Sequence, residues 1–204
     1  MTYSPPTAEQ RFVLDHVTRM DELAAAPRFE AATPDMVDAI LEGAAALAVG
    51  EWAPTNRVGD TNTPKWNDGT VTMPPGFKEA YRAYVDGGWN SLYGPVEYGG
   101  QGLPHIVAMP LQEMWNSANM AFCLCPMLTT GVQEALMHHG SPVLLDTYMS
   151  KLVSGEWTGT MNLTEPQAGS DLAAVRTRAE PLPDGTYKVF GTKRSEERRV
   201  GKEC

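Results

Sequence analysis

The spacing of apolar residues in this chain changes at one place, close to Ser154. From Ala8 to Leu152, apolar residues recur three or four positions apart, which is the spacing of one face of an α-helix. From Trp157 onward the chain is rich in threonine and then alternates apolar with polar residues, as β-strands do. Helices gathered in one stretch and strands in the next predict an α+β fold, with a helical domain followed by a β domain.

Six helices are predicted from this spacing. The clearest begins at Thr33-Pro34-Asp35, because threonine caps a helix N-terminus and proline suits the first turn. Its apolar stripe comprises Val37, Ile40, Leu41, Ala44, Leu47 and Ala48. The other predicted helices are Ala8–Leu23 (apolar at Phe12, Val13, Val17 and Met20), Pro75–Val85, Ile106–Asn116, Thr129–His139 and Pro142–Leu152.

Glycine, proline and asparagine mark the predicted loops. Glu51–Pro75 is predicted to be a long loop with one small hairpin near Val71 and Met73, and Gly94–Pro104 a glycine-rich loop. The predicted strands are Trp157–Leu163, Val175–Glu180 and Tyr187–Val189, with a turn at Pro183-Asp184-Gly185 between the last two.

Charge and composition exclude several classes of protein. The net charge is −9 over 204 residues, with no basic stripe, which argues against a nucleic-acid partner. No apolar run approaches the roughly 20 residues of a membrane span, and the N-terminus lacks the pattern of a secretory signal. Three cysteines do not form a disulfide framework. We therefore expect a cytoplasmic protein with no membrane span.

The residues that suit ligand chemistry are concentrated between Trp157 and Asp171. A loop of this composition presents backbone N–H groups, hydroxyls and a glycine, Gly169, that permits close approach of a ligand. A polar planar ligand or a phosphate would fit it. The alternative is a capped turn, in which Ser170 or Asp171 begins a short helix. The residues alone leave both open.

Other candidate residues have simpler explanations. His138 and His139 end a predicted helix, where polar or charged side chains suit the helix dipole. Cys123 and Cys125 are too close in sequence for a usual zinc pair and are predicted to be buried free thiols. Trp89, Trp115 and four methionines are predicted to lie mostly in the core, with a minority lining an acyl pocket; the methionines are Met109, Met114, Met120 and Met127. The segment Gly99-Gly100-Gln101-Gly102 lacks the context of a dinucleotide motif and is either a loop near a substrate channel or a plain turn.

An ordered set of short motifs resembles the acyl-CoA dehydrogenase family over nearly all of Tyr3–Lys193. The central piece is Leu163-Thr164-Glu165-Pro166 followed by Ala168-Gly169-Ser170-Asp171. Three further pieces occur in the family's order: Tyr98-Gly99-Gly100-Gln101-Gly102-Leu103-Pro104, Ser117-Ala118-Asn119-Met120-Ala121-Phe122 and Leu128-Thr129-Thr130-Gly131. The N-terminal extension, Tyr3 to about Asp60, resembles the subgroup that contains methylmercaptopropionyl-CoA dehydrogenase.

The resemblance implies that the segment from Met161 to Ser170 lies along the isoalloxazine ring of FAD. The cofactor-binding residues it implies are Met161, Asn162, Leu163, Thr164, Gly169 and Ser170. Main-chain groups of Met161 and Leu163 and the Thr164 hydroxyl are expected to contact the pyrimidine edge of the ring. Ser170 is also expected to contact the acyl-CoA substrate. Met161 departs from the aromatic residue of several relatives, which matters little if its contact is through the backbone.

The implied reaction removes a proton from the α carbon of an acyl-CoA thioester and transfers hydride from the β carbon to FAD, which gives a 2-enoyl-CoA. The family's base is a glutamate in a C-terminal domain that this chain does not include, so no catalytic residue is assigned, and Glu165 is expected to be structural. The resemblance also implies an electron-transfer flavoprotein or similar acceptor and a homo-oligomeric parent protein. The alternatives are an acyl-CoA oxidase or flavin monooxygenase of the same fold, or a non-catalytic ligand-binding module.

The end of the chain has a separate character. Arg194–Cys204 resembles the translation of a common short-read sequencing adapter, and we expect it to be foreign to the natural protein. The predicted domains are therefore a helical domain at 1–154, whose first 60 residues are the extension, the start of a truncated middle β domain at 155–193, and a non-native tail at 194–204. The segment by itself is expected to be inactive.

Overall fold

The computed structural model describes residues 3–194, and within them the backbone forms seven α-helices and two β-hairpins. The chain divides into two compact units between Gly159 and Thr160. Of the predicted non-native tail, all but Arg194 lies outside the described residues. The elements are α1 (Thr7–Phe12), α2 (Met20–Ala24), α3 (Pro34–Leu47), α4 (Ala53–Thr61), β1 (Lys65–Asn67), β2 (Thr70–Thr72), α5 (Phe77–Asp86), α6 (His105–His139), α7 (Pro142–Val153), β3 (Arg178–Pro181) and β4 (Tyr187–Phe190).

Aromatic rings form the centre of the first unit. Trp52 is fully buried, and its ring centroid lies 4.5 to 5.5 Å from those of Tyr84, Trp115 and Phe122. These rings come from α5, α6 and the turn before α4. Contacts at such distances add to the free energy gained by burying the rings, so this cluster holds the helices together.

Two helices begin as the sequence predicts. The Thr33 hydroxyl accepts the N–H of Met36 at 3.3 Å, and Pro34 follows in the first turn of α3. Every residue of the predicted stripe of α3 is buried. Ser141 caps α7 in the same way, with Pro142 after it. In both helices the cap satisfies an N–H that the first turn leaves without an intrahelical acceptor.

The prediction of a loop from residue 51 to residue 75 is wrong for its first part. After α3 the chain continues through a wide turn, Ala48–Trp52, directly into α4. Pro54 does not end the helix because it lies in the first turn of α4, where its missing N–H is not needed. Burial of Trp52 and Thr55 stabilises the continuation. The predicted small hairpin is confirmed as β1 and β2.

The N-terminal helix is interrupted where one continuous helix is predicted. Arg19 takes a left-handed backbone conformation (φ 52°) between the turn that follows α1 and the start of α2. Leu14 and Met20 are buried, whereas Phe12, Val13 and Val17 are exposed. The predicted apolar stripe is therefore wrong for those three residues. The break at Arg19 lets Leu14 and Met20 both reach the core although they are not on one helical face.

Helix α6 joins the two predicted helices at 106–116 and 129–139 into one element of 35 residues. The join is kinked at Asn119, which has non-helical dihedral angles (φ −157°, ψ 91°). Only one face of α6 packs on the core. Met114 is therefore buried, whereas Met109, Met120 and Met127 are exposed, against the prediction that most of the methionines lie in the core.

Among the described residues, α6 is the only helix long and apolar enough to cross a membrane by length and composition. The core helix of a soluble protein meets the same criterion. Val107, Leu111, Met114 and Trp115 of α6 are all buried within this unit. Their burial against other helices is the ordinary packing of a core helix.

The second unit contains one hairpin, in which β3 and β4 pair antiparallel with Arg178 opposite Phe190. The predicted turn at residues 183–185 is confirmed. Asp184 accepts the N–H of Thr186 at 2.9 Å, and Gly185 has a positive φ of 82°. The strand predicted at residues 157–163 is wrong. It has no ladder partner among residues 3–194, and a strand requires a neighbour for its backbone hydrogen bonds.

Candidate functional site

The predicted cofactor-binding segment forms the first part of the second unit and is open to solvent. Met161 and Asn162 are exposed, and Leu163 and Thr164 are half-buried. Within the part of the chain that the structure describes, the backbone N–H groups of Met161, Asn162 and Leu163 have no hydrogen-bond acceptor. Three donors in succession without an acceptor in the described chain can bind carbonyl or phosphate oxygens of a ligand.

Two carbonyl groups of the same segment are already engaged. The ammonium of Lys193 donates to the carbonyl of Leu163 at 2.9 Å, and the backbone N–H of Arg194 donates to the carbonyl of Thr164 at 2.7 Å. The expected main-chain contact of Leu163 with a cofactor therefore falls to its N–H group. Both carbonyls are held from the far end of the hairpin.

Glu165 lies at the base of this segment and is only 3% exposed. One carboxylate oxygen accepts the N–H of Arg176 at 2.8 Å and the other accepts the N–H of Thr177 at 3.0 Å. The side chain of Gln167 donates to the same carboxylate at 2.6 Å, and the Lys193 ammonium lies 2.9 Å from it. These four donors hold the carboxylate in place within the second unit.

These donors change the acidity of Glu165. The Thr177 hydroxyl makes the largest contribution, although it forms no hydrogen bond of ordinary geometry, and the Arg176 N–H makes the next. Together with Lys193 they hold the pKa of the Glu165 carboxyl well below its ordinary value, whereas burial acts in the opposite direction. The carboxylate is therefore charged throughout the neutral range.

The loop that follows forms the capped turn, one of the two structures that its sequence allows. Asp171 accepts the N–H of Ala173 at 3.1 Å and caps a short 3₁₀ helix, Leu172–Ala174, so the capped turn is present. Gly169 and Ser170 are exposed and take no part in that cap. A Cβ added at Gly169 would meet no atom within 4 Å, so nothing in the described chain requires glycine there. The predicted ligand contacts at Gly169 and Ser170 remain predictions.

The other candidate residues lie in the first unit. Cys123 is buried and Cys125 is half-buried, and among the described residues no group of three or more potential ligands could hold a metal ion. His138 lies in the last turn of α6, exposed, with its Nε2 3.6 Å from Glu134. The glycine-rich loop is tightly closed on itself. A Cβ at Gly100 would lie 2.0 Å from the carbonyl oxygen of Gly94, which explains that glycine without a ligand.

One residue of the site was not expected from the sequence. Lys193 contacts both Leu163 and Glu165, 30 and 28 positions before it in the chain. The only signal was a lysine placed just after a predicted strand, which by itself is commonplace. The β3–β4 hairpin reverses the direction of the chain, and this brings Lys193 close to Leu163 and Glu165.

Three comparisons with known proteins agree with one another. The family model for the acyl-CoA dehydrogenase N-terminal domain matches residues 39–156. A 3-methylmercaptopropionyl-CoA dehydrogenase of Ruegeria pomeroyi is 43% identical over 193 residues, covering 95% of this chain and 33% of that protein. A butyryl-CoA dehydrogenase of Syntrophomonas wolfei is 32% identical over 163 residues, covering 78% of this chain and 27% of that protein. The chain thus spans 33% and 27% of the length of these two curated relatives.

Solved structures give the same fold. A butyryl-CoA dehydrogenase from Megasphaera elsdenii superposes with a TM-score of 0.65 at 22% identity and covers 79% of this chain and 40% of that one. At this level of identity the likeness concerns the fold alone.

Proposed function

The chain belongs to the acyl-CoA dehydrogenase family, and from that premise we propose that its parent protein is an FAD-dependent enzyme that oxidises an acyl-CoA thioester to a 2-enoyl-CoA. The proton leaves the α carbon to a base, and the hydride leaves the β carbon, so that a carbon–carbon double bond remains. FAD, when bound, supplies the acceptor for the hydride. The residues of this chain are proposed to bind FAD and to orient it.

The observation that carries the proposal is the run of N–H groups at Met161, Asn162 and Leu163 that have no acceptor among residues 3–194. The pyrimidine edge of an isoalloxazine ring presents carbonyl oxygens, which are acceptors for such donors. Donors aimed at that edge stabilise negative charge that develops in the ring as it is reduced. The residues present therefore fit FAD. Thr164 is proposed to add its hydroxyl to the same edge.

Open space beside Gly169 and the exposed hydroxyl of Ser170 support a second part of the site. We propose that the cofactor lies against Gly169, where a side chain would intrude, and that Ser170 contacts both cofactor and substrate. The proposed substrate class is an acyl-CoA, and the similarity to the Ruegeria protein makes 3-methylmercaptopropionyl-CoA the first compound to test. An electron-transfer flavoprotein is the proposed acceptor, and the parent is proposed to be a cytoplasmic homo-oligomer.

The 204-residue segment by itself is proposed to be inactive with FAD and acyl-CoA supplied. It spans a third of the Ruegeria relative. Glu165, the buried carboxylate of the site, already accepts four donors and is unavailable as a base. A positioned base contributes roughly 10²–10⁴-fold to such a reaction. Anaerobic mixing of the segment with FAD and acyl-CoAs, followed at the visible flavin band, should give no bleaching, whereas the full-length protein should bleach.

Gly169→Ala in the full-length protein tests the cofactor site. Because the added methyl group meets open space in the described chain, the melting temperature of the apoprotein should not change. FAD affinity should fall about tenfold, since overpacking against a ligand typically costs 1–3 kcal/mol. The matched control is Gly50→Ala, another glycine whose added Cβ would meet nothing, far from the loop in sequence. Fluorescence titration with FAD that gave Gly169→Ala the wild-type affinity would contradict the assignment.

Thr164→Val tests the hydroxyl contact. The substitution keeps the shape of the side chain and removes one hydrogen-bonding group, so FAD binding should weaken by about 0.5–1.5 kcal/mol. The absorption spectrum and the reduction potential of the bound flavin should also change. An unaltered spectrum, affinity and potential together would argue against Thr164 as a flavin contact. Rapid reoxidation of the reduced protein by oxygen would point instead to an oxidase of the same fold.

A further inference from the structure

Glu165 and Lys193 are the centre of a group of contacts that the proposed reaction does not use. We call this group the Glu165 clasp and define it as Glu165, Gln167, Lys193 and the backbone N–H groups of Arg176 and Thr177. Its members come from three separate stretches of the second unit: the loop itself, the start of the hairpin and the end of the hairpin. One carboxylate is therefore bonded to all three stretches.

Within the clasp, Glu165 and Lys193 form a charged pair. The Glu165 side chain has little access to solvent. Glu165 Oε1 lies 2.9 Å from Lys193 Nζ, and the side chains are 3% and 27% exposed. When one partner of such a pair is removed, the other is left as an uncompensated charge away from water, which is costly. The pair differs in this respect from the exposed pair Arg178–Glu180 of the same unit, whose N–O distance is also 2.9 Å but whose side chains are 64% and 53% exposed.

Lys193 connects the clasp to the proposed cofactor segment. Its ammonium donates to Leu163 C=O at 2.9 Å. The carbonyl of Leu163, the last of the three proposed donor residues, is thus anchored to Lys193. This anchor restrains the backbone at the end of the segment whose N–H groups are proposed to meet the flavin.

We propose that Glu165 and Lys193 are positioning residues that hold the flavin-binding segment in shape and that their opposed charges tune the flavin. The proposal rests on the proposed function. The carboxylate is bonded to the loop and the ammonium to the carbonyl of Leu163, so both charges lie beside the segment that is proposed to carry the ring. Their fields act on it with opposite signs, and in the intact pair they largely cancel.

This arrangement predicts the sign of the shift in reduction potential for each variant, which a merely structural role does not. In Glu165→Gln the positive charge of Lys193 is left alone, which favours the negatively charged reduced flavin and raises the reduction potential. In Lys193→Met the negative charge of Glu165 is left alone, and the potential falls. If the pair only held the loop together, both variants would loosen it and shift the potential in the same direction.

The experiment uses the full-length protein that contains this segment, purified with FAD. Reduction potentials and FAD dissociation constants are measured for the wild type, Glu165→Gln, Lys193→Met and Lys193→Arg, with Glu180→Gln as the matched control on the exposed pair. We expect opposite shifts of potential in the first two variants, FAD affinity weakened about tenfold in each, and recovery toward wild type in Lys193→Arg. The control should match the wild type. If Glu165→Gln does not fold, the test is the comparison of the reduction potentials of Lys193→Met and Lys193→Arg. The potential should be lower in Lys193→Met than in Lys193→Arg.

Hydrogen exchange separates failure of this proposal from failure of the proposed function, because it needs no cofactor. The amides of Arg176 and Thr177 should exchange slowly in the wild type, and at least one should exchange faster in Glu165→Gln, since the carboxamide nitrogen cannot accept. If the wild type bound no FAD but Glu165→Gln showed this loss of protection, the proposed function would be refuted and the clasp would stand. Potentials shifted in the same direction, or unshifted, would overturn the proposed tuning even with FAD bound.

Discussion

The side chain of Asn119, at the kink of α6, is hydrogen-bonded to one hydroxyl group of α4. Asn119 is 1% exposed, and its side-chain amide donates to the Thr55 hydroxyl at 2.8 Å. The amide oxygen accepts the N–H of Phe122 at 3.0 Å. The Thr55 hydroxyl in turn donates to the carbonyl of Trp52 at 2.7 Å. We predict that Thr55→Val, which changes only the hydroxyl to a methyl group, destabilises the first unit.

The size of the effect follows from what the substitution leaves behind. Thr55 is 5% exposed, so water cannot replace its hydroxyl, and the Asn119 amide loses an acceptor in the core. A buried donor without a partner costs about 1–3 kcal/mol, whereas loss of the bond to Trp52 adds only a small term because helical carbonyls have other donors. The valine methyl group gains some burial. We expect a net loss of about 1–3 kcal/mol in the free energy of unfolding.

Thr61→Val provides the control within the same helix. The Thr61 hydroxyl also donates to a carbonyl one turn earlier, that of Arg57 at 2.9 Å, but the residue is exposed and no buried group depends on it. Its loss should stay within about 0.5 kcal/mol. Urea unfolding followed by tryptophan fluorescence measures both, because Trp52 and Trp115 are buried beside the kink. Equal stability of Thr55→Val and wild type would refute the reasoning.

Three further predictions concern backbone packing, thiol chemistry and pH. Gly100→Ala should destabilise by about 3 kcal/mol or more in thermal unfolding, because its Cβ would lie 2.0 Å from the backbone of Gly94, whereas Gly50→Ala should be neutral or slightly stabilising. Burial raises the pKa of Cys123 to about 12, so at pH 8 it should resist iodoacetamide in the native state, as scored by tandem mass spectrometry, and react once unfolded. Because the pKa of Glu165 is lowered by folding, its contribution to stability is present above the ordinary glutamate pKa of about 4.3 and is lost as pH falls below it. The free energy of unfolding of Glu165→Gln, measured with urea, should therefore fall less than that of the wild type as the pH is lowered through this range.

The sequence alone was sufficient where structure depends on neighbouring residues. Caps and proline predicted the start of α3, and an aspartate–glycine turn predicted the β3–β4 hairpin, because the residues that decide these features lie within four positions of each other. The family followed from short motifs in a fixed order. The capped turn at Asp171 was also one of the two structures its sequence allows.

Only the tertiary structure decided features that need a distant partner. Residues 51–61 look like loop by composition, yet burial of Trp52 and Thr55 makes them helical in part. The stretch at residues 157–163 has the composition of a strand, but no neighbour in the described chain supplies its ladder. Glu165 meets Lys193 across 28 positions, and Thr55 meets Asn119 across 64. A buried polar group is stable only when its partner is also present. The packed core decides which distant segments of the chain meet, and neither local sequence does so by itself.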